Sequence, residues 1–461
     1  MTKTIKCISP VDGSLVAERP VESLEKAGER VARARAAQKE WAARPLQERI
    51  ELVMQGVANV GAMNDEIVPE LAWQMGRPVR YGGEFSGFNE RASYMAEIAE
   101  QALAPIGVEE SAGFKRYIKR VPHGLLMVIA PWNYPFMTAI NAVAPGLIAG
   151  NSVMLKMASQ TPLVGERMEQ GFRQAGIPAD VFQNIVLDHE TTSSLISDRA
   201  FDFVNFTGSV GGGKAMEMAA AGTFTGLGLE LGGKDPGYVM DDANIDAAVD
   251  TLIDAAMFNS GQCCCGIERI YVAESRFDEF VEKAVKLVNT YKLGNPLDQE
   301  TTMGPMAQAR LADEVRAQTR EAVAQGAKPL IDPALFPQDT GEGPYLMPQI
   351  LTNVDHSMRV MRDESFGPVV GIMPVRDDAE AIALMNDSEF GLTASLWTTD
   401  MARAEKIGDA IETGTVFMNR ADYLDPGLCW TGCKNTGRGG GLSIIGYHNL
   451  TRPKSYHLRN I

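Results

Sequence analysis

The sequence predicts an α/β fold of two parallel-sheet α/β domains plus a small β arm for oligomerisation. From Leu125 onward, short apolar runs alternate with amphipathic helical stretches, the pattern of crossover units that cover a parallel sheet. A second series of the same kind follows a glycine-rich stretch, and two charged, alternating segments fit neither series. At 461 residues the chain is long enough to bury two large cores.

The first hundred residues read as helices after a short strand-like start. Leu46, Ile50, Val53, Val57 and Val60 recur at three- and four-residue steps, which puts one apolar stripe on a core. Pro45 stands where a helix start tolerates a missing N–H. Residues 114–121 alternate, with Tyr117 and Ile118 among Lys115, Arg116, Lys119 and Arg120, as an exposed ribbon would, and residues 451–458 have the same character. Exposed strand edges invite pairing with another chain, so a homodimer or homotetramer is expected. Apolar runs at 125–130, 152–156, 181–187 and 203–206 form the first strand series. Residues 138–155 are the best membrane candidate, but Asn141, Pro145, Gly150 and Asn151 interrupt them and favour a buried helix and turn. Residues 226–233 read as a glycine-rich connection between domains, with the main boundary near Gly233. The second strand series lies at 269–272, 369–375, 394–398 and 415–419.

Acidic residues outnumber basic ones, 59 to 43, and the formal charge of −16 argues against nucleic acid and anionic membrane as partners. The start of the chain carries no apolar stretch with a cleavage site. Three of the six cysteines are adjacent, a poor geometry for disulfides with one another. Cys7, Cys429 and Cys433 show no metal spacing, and histidines are few. A reduced, cytoplasmic thiol chemistry without a metal centre is the expectation.

Four segments carry chemistry. Phe258-Asn259-Ser260-Gly261-Gln262-Cys263-Cys264-Cys265 offers the side chain best suited to attack an electrophilic carbon near neutral pH, provided the site supplies positive potential or a base; the rival reading is buried apolar filling. Glu230, in Leu229-Glu230-Leu231-Gly232-Gly233-Lys234, is a carboxylate among apolar residues and glycines, where burial would make it a usable base; the rival is a surface glutamate partnered by Lys234. Pro131-Trp132-Asn133-Tyr134-Pro135 follows an apolar strand, at the edge where open α/β sheets bind ligands, and Asn133 could donate to an oxyanion; the rival is a plain turn. Phe206-Thr207-Gly208-Ser209-Val210-Gly211-Gly212-Gly213 leads from a strand to a helix whose start could take a phosphate, although a lone glycine loop is weak evidence.

Taken in chain order, from Pro131-Trp132-Asn133 through Phe206-Thr207-Gly208-Ser209 and Glu230 to Cys264, the four segments resemble the aldehyde dehydrogenase superfamily of NAD(P)-dependent, non-acylating enzymes, over about residues 8–455. Glu364-Ser365-Phe366-Gly367-Pro368-Val369 and Gly432-Cys433-Lys434-Asn435-Thr436-Gly437-Arg438-Gly439 are similar to two further motifs of that family. The resemblance implies a dinucleotide-binding domain over 1–106 and 125–232, a catalytic domain over 233–427, and an oligomerisation arm over 107–124 and 428–461. It implies that Cys264 attacks an aldehyde while Asn133 and the Cys264 N–H hold the oxyanion. Hydride then passes to the nicotinamide, and Glu230 activates water to hydrolyse the thioester. It assigns Trp132, Lys156, Ser159, Gly208, Ser209, Gly213, Leu231, Glu364 and Phe366 to the cofactor. It lines the aldehyde tunnel with Tyr134, Thr138, Asn141, Phe258, Cys263, Cys265 and Trp430, which fits a short or partly polar aldehyde.

Two departures from the family pattern matter. Ser159 replaces a glutamate that repels a 2′-phosphate, so NADP is expected to be tolerated beside NAD. Gly440-Gly441-Leu442 replaces the usual arginine-glutamate pair after the last motif, a change expected to touch packing and not chemistry. Arg420, in the charged loop 419–426, could pair a substrate carboxylate such as that of a semialdehyde acid, or form a surface contact. The rival functions are an acylating enzyme that uses coenzyme A, against which Glu230 argues, and a catalytically silent homologue acting as a binding or scaffold protein.

Overall fold

The computed structural model describes residues 3–109 and 111–460. A hairpin of Thr4–Ile8 and Leu15–Pro20 precedes the helices Leu24–Ala43 and Leu46–Gly61. Ser23 caps the first of these with its hydroxyl, and Pro45 stands at the N-cap of the second. Val53, Val57 and Val60 of the predicted stripe are buried.

Six strands form the first sheet in the order Gly437–Arg438, Gly226–Glu230, Phe203–Thr207, Leu125–Ala130, Ser152–Met157 and Phe182–Asn184. All neighbours are parallel except the first pair. Leu126, Val128 and Ala130 enter one core, while Leu125, Met127 and Ile129 enter another on the opposite face. Burial on both faces is why this strand reads as a continuous apolar run rather than an alternation.

The glycine-rich segment is not merely a connection: Gly226–Glu230 is a strand of this sheet. A Cβ on Gly226 would lie 2.6 Å from the Phe203 ring, and one on Gly228 would lie 2.8 Å from Asn205 Oδ1. The neighbouring strand's side chains occupy that space, so these glycines mark close packing and not a turn.

Seven strands form the second sheet, in the order Lys328–Pro329, Gln349–Thr352, Val369–Val375, Ile267–Ala273, Asp235–Val239, Thr393–Trp397 and Thr415–Met418. Only the first pair is antiparallel. Asp235–Val239 escapes sequence reading because Asp, Pro and Gly are poor strand formers, yet it is buried throughout at the centre of the sheet.

The two charged ribbons meet: Thr451–Arg459 pairs antiparallel with Phe114–Pro122, and Ile106–Gly107 completes a three-stranded sheet. Tyr117 and Tyr456 stack across it at 4.6 Å. Residues 428–450 depart from the predicted arm, because Gly437–Arg438 joins the first sheet and Cys433–Lys434 pairs with Phe390–Gly391. The stretch 138–155 is the buried helix Pro135–Ile148 followed by a strand. Among the described residues no helix is long and apolar enough to cross a membrane.

Candidate active site

The first sheet begins in its middle, at Leu125–Ala130, and later strands are added to both sides, so the chain reverses direction beside that strand. Such a switch point opens a crevice at the carboxyl ends of the strands. Trp132, Asn133 and Tyr134 leave the strand there. Across the crevice lie the segments that lead into strands of the second sheet: Leu231 to Lys234, Cys263 to Gly266, and Glu364 to Pro368. Asn133 Nδ2 donates to the Gln262 carbonyl at 3.2 Å, and Asn259 Nδ2 reaches the Asn133 carbonyl at 3.4 Å. Arg77 also donates to that carbonyl and pairs with Glu84 at 2.6 Å, while Glu84 accepts from Met137 N in the first turn of the next helix. The turn is thus held in place from three directions, with one amide hydrogen of Asn133 left for a ligand.

The cysteine loop is a tight one. Asn259 and Ser260 sit at φ 54° and 56°, and Gly261 follows at φ 71°. Left-handed backbone at non-glycine residues costs about 1–3 kcal/mol each and persists where the surroundings over-determine it. Here Ser260 Oγ bonds the Gly304 carbonyl at 2.7 Å, and the Gln262 amide bridges Asn259 O and Ala307 N. A Cβ on Gly261 would lie 2.2 Å from the Gly367 carbonyl carbon, so only glycine lets this loop press on the 364–369 segment.

Of the three adjacent thiols, Cys263 and Cys265 are buried and Cys264 is partly open. The three sulfurs lie within 4.8 Å of one another. Cys263 and Cys265 both donate to Asp422 Oδ1, at 3.2 and 3.1 Å. The Cys264 thiol is held well below its ordinary range by the polar flanking thiols and by the charge of the Arg91 guanidinium, against the desolvation that opposes them; since both flanking thiols give their protons to Asp422, Arg91 is the cause that does not depend on where those protons lie. The Cys264 N–H has no acceptor among the described residues, so it remains available beside the Asn133 amide.

Glu230 ends its strand buried, with Oε2 accepting from Thr207 Oγ1 at 3.1 Å. Burial pushes its carboxyl up to about 7, and the neighbouring Cys264 adds to the rise. Lys234 is not its partner: that ammonium pairs with Glu268 at 2.6 Å and bonds Ser365 Oγ at 3.0 Å. Glu268 in turn accepts from the N–H groups of Ser365 and Phe366 at 2.7 and 2.8 Å, which fixes Phe366 at φ 49°. The departure at 440–442 reaches the chemistry after all, because a Cβ on Gly441 would lie 2.8 Å from Glu230 Oε1.

Glu364 and Phe366 flank the same crevice. Phe366 meets Trp132 edge-on at 5.6 Å, and Glu364 Oε1 accepts from Gly233 N at 3.0 Å. Burial and the charge of Glu268 push the Glu364 carboxyl up to about 8. At the other end, Lys156 is buried yet has no hydrogen-bond partner among the described residues, while Ser159 nearby is exposed. Ser209 caps the helix Val210–Ala220 through Gly212 N, and Gly208 N is spent on the Glu230 carbonyl. A Cβ on Gly213 would lie 2.6 Å from Leu231 Cδ1, so these two predicted residues touch. An unpaired buried ammonium, a helix start and an aromatic pair suit a dinucleotide.

Tyr134, Cys263, Cys264, Cys265 and Trp430 share one apolar cluster, and Leu424 packs against it. Tyr134 and Phe258 line a cleft with Tyr81, Met137 and Gly87. Thr138 and Asn141 lie one and two turns along the helix Pro135–Ile148. Arg420 stays outside: its guanidinium lies 3.6 Å from the centre of the Tyr423 ring, on the exposed surface. Asp422 is the residue of that loop that reaches the cysteines, and only tertiary structure reveals it. Arg91 has a signal in the sequence, a lone charge on the apolar stripe of Phe88, Ala92 and Met95 that the helix Phe85–Glu97 buries.

Asp422 has its carboxyl raised to about 6, first by burial. Its charge opposes a thiolate on Cys264. Asp422→Asn is therefore expected to move the pH midpoint of Cys264 alkylation by iodoacetamide down by roughly one pH unit. An upward movement would mean that Asp422 acts by aligning the flanking thiols instead.

The sequence model of the aldehyde dehydrogenase family matches residues 1–456. The chain is 30% identical to the succinate-semialdehyde dehydrogenase [NADP(+)] of Deinococcus radiodurans, over 97% of this chain and 93% of that protein. It is 31% identical to the succinate semialdehyde dehydrogenase [NAD(P)+] Sad of Escherichia coli, over 96% and 95%. It superposes on the NADP-dependent glyceraldehyde-3-phosphate dehydrogenase of Bacillus halodurans complexed with NADP with a TM-score of 0.93 and 29% identity, covering 100% and 96% of the two chains.

Proposed function

The chain belongs to the aldehyde dehydrogenase family and oxidises an aldehyde to a carboxylic acid with NAD(P), and we propose that Cys264, Glu230 and Asn133 carry out that reaction. The observation that supports this most is the pairing of a depressed Cys264 thiol with a buried carboxyl raised to about 7 in the same crevice. Environments that push two groups apart in this way divide the labour between nucleophile and base.

Cys264 adds to the aldehyde carbon, and the developing oxyanion is held by the Cys264 N–H and the free amide hydrogen of Asn133. When bound, the nicotinamide supplies a hydride acceptor. Glu230 takes a proton from water so that it can attack the resulting thioester on Cys264 and release the acid. Thr207 and Gly441 keep the carboxylate in place by a hydrogen bond and by leaving it room. Trp132, Phe366 and Glu364 would hold the nicotinamide end, and Leu231, Gly208, Ser209 and Gly213 the diphosphate stretch. Lys156 and Ser159 would hold the adenosine ribose. We assign 1–106 with 125–232 to the dinucleotide-binding domain and 233–427 to the catalytic domain. The three-stranded arm and the strand Thr451–Arg459 at its edge suit pairing between subunits of a homodimer or homotetramer. The free thiols suit the cytoplasm.

The test is the formation of reduced nicotinamide by the purified protein with NAD and NADP separately, over short aliphatic, hydroxylated, aromatic and carboxylate-bearing aldehydes. Both cofactors are expected to support turnover. Ser159→Glu places a carboxylate where a 2′-phosphate would lie, and is expected to raise KM for NADP about 10- to 100-fold while NAD changes only a few-fold. No turnover of any aldehyde, with acyl-coenzyme A formed when coenzyme A is added, would move the chain to the acylating class.

A further inference from the structure

Arg77 and Arg91 are both buried beside the first half of the Pro135–Ile148 helix and the turn before it, and their situations differ. Arg77 is paired with Glu84 and bonded to Asn133 O, and its one unpartnered nitrogen, Nε, is sealed in protein. Arg91 is 8% exposed and forms no ion pair among the described residues. Its Nη1 donates to Met137 O at 2.9 Å and to Asn141 Oδ1 at 3.4 Å, while Nε and Nη2 bond nothing. Those two nitrogens are not sealed in protein either, in contrast to Arg77 Nε, so they face open space. A buried guanidinium without an anion is costly to keep.

The groups around Arg91 say which space it faces. Its charge acts on Cys264, Cys265 and Glu230 as well as on Glu84, so it stands beside the reacting centre. Asn141 spends its amide oxygen on Arg91, which leaves Nδ2 as another donor. Tyr134 Oη, at the start of the same helix, is enclosed and has no partner. Met137, whose carbonyl Arg91 bonds, has an apolar side chain that offers no competing anion. Asp422 and Glu230 repel an anion near the cysteines, so the attractive end of the tunnel is the one that Arg91 and Asn141 make.

We propose that Arg91, with Asn141, binds the carboxylate of the aldehyde substrate, so that the enzyme acts on short ω-oxo acids. The guanidinium offers Nε and Nη2 as a fork that a carboxylate matches with two hydrogen bonds, and Asn141 Nδ2 orients it. Arg91 is thus a specificity residue, in the place first considered for Arg420. The proposal rests on the reading of Cys264 as nucleophile.

The experiment compares kcat/KM for 4-oxobutanoate with that for butanal, in the wild type and in Arg91→Gln and Arg91→Lys. The wild type is expected to prefer the oxo acid by about 100-fold. Arg91→Gln should remove most of that preference through KM. Butanal turnover also falls in Arg91→Gln, because the Cys264 thiol loses a charge that favours its ionisation, so the readout is the ratio of kcat/KM for the two aldehydes; Arg91→Lys keeps the charge and retains an intermediate preference. A second readout needs neither turnover nor a variant: succinate should slow alkylation of Cys264 by iodoacetamide, and butanamide at the same concentration should not. Equal turnover of the two aldehydes by the wild type, or equal losses in Arg91→Gln, overturns the proposal and leaves Cys264 chemistry standing. Absence of turnover with both aldehydes counts against the Cys264 reading, and protection by succinate would still support the Arg91 site.

Discussion

Cys264→Ala is expected to lower kcat by at least about 10⁴-fold while NAD and NADP binding, followed by fluorescence, stays within a few-fold of the wild type. The size follows from the burial of the rivals. Cys263 and Cys265 are 4% and 2% exposed, and their protons point to Asp422. Their thiols are pushed up where that of Cys264 is pushed down. A neighbouring sulfur therefore lacks both the charge and the access to stand in. The side chain is small and partly open, so folding stability should change by less than about 1 kcal/mol. Residual turnover at a tenth of the wild-type rate would mean that one of the flanking cysteines is the nucleophile.

Glu230→Gln separates the two halves of the reaction. Hydride transfer does not need this carboxylate, whereas attack by water does, so a burst of reduced cofactor close to one per active site should precede a steady state slowed by roughly 10²–10⁴-fold. The wild-type hydrolytic limb should rise with pH and level off above about 7, because the base form is the carboxylate and burial places its titration there. The variant should lose that limb. Stability has the opposite sign. A carboxyl raised from 4.5 to about 7 on folding favours the folded state fully below 4.5, and this contribution is lost as pH rises through 7. Thermal denaturation between pH 5 and 8 should show a shallower fall in Glu230→Gln. A variant with no burst, or with an unchanged pH profile, would remove Glu230 from the hydrolytic step.

The restraint on Phe366 has the same logic as the loop before Cys264. Each functional segment enters a strand of the second sheet from a strained or crowded turn, and buried side chains from elsewhere hold that turn. Lys234 and Glu268 do this for Phe366, and Ser260 and Gln262 for the cysteines. The apparent surface charge of Lys234 is thus internal scaffolding, which sequence proximity to Glu230 disguises.

The α/β class, most of the two strand series, the two ribbons, and the order of the Asn133, Glu230, Cys264 and Glu364 segments can be read from the amino-acid sequence, whereas the strands Gly226–Glu230 and Asp235–Val239 cannot. The former are legible because periodicity, apolar runs and short motifs are local properties that adjacent residues carry together. Features that depend on neighbours remote in the chain emerge from packing alone. Gly226–Glu230 is a strand because Phe203 and Asn205 fill the space its glycines leave. Glu230 stands apart from Lys234 because Glu268 captures the ammonium. Asp422 and not Arg420 meets the cysteines, and Arg91 comes beside them from a helix more than a hundred residues away in sequence. Burial, pairing and the charges they shift are set by packing between segments, and no spacing along one strand of text encodes them.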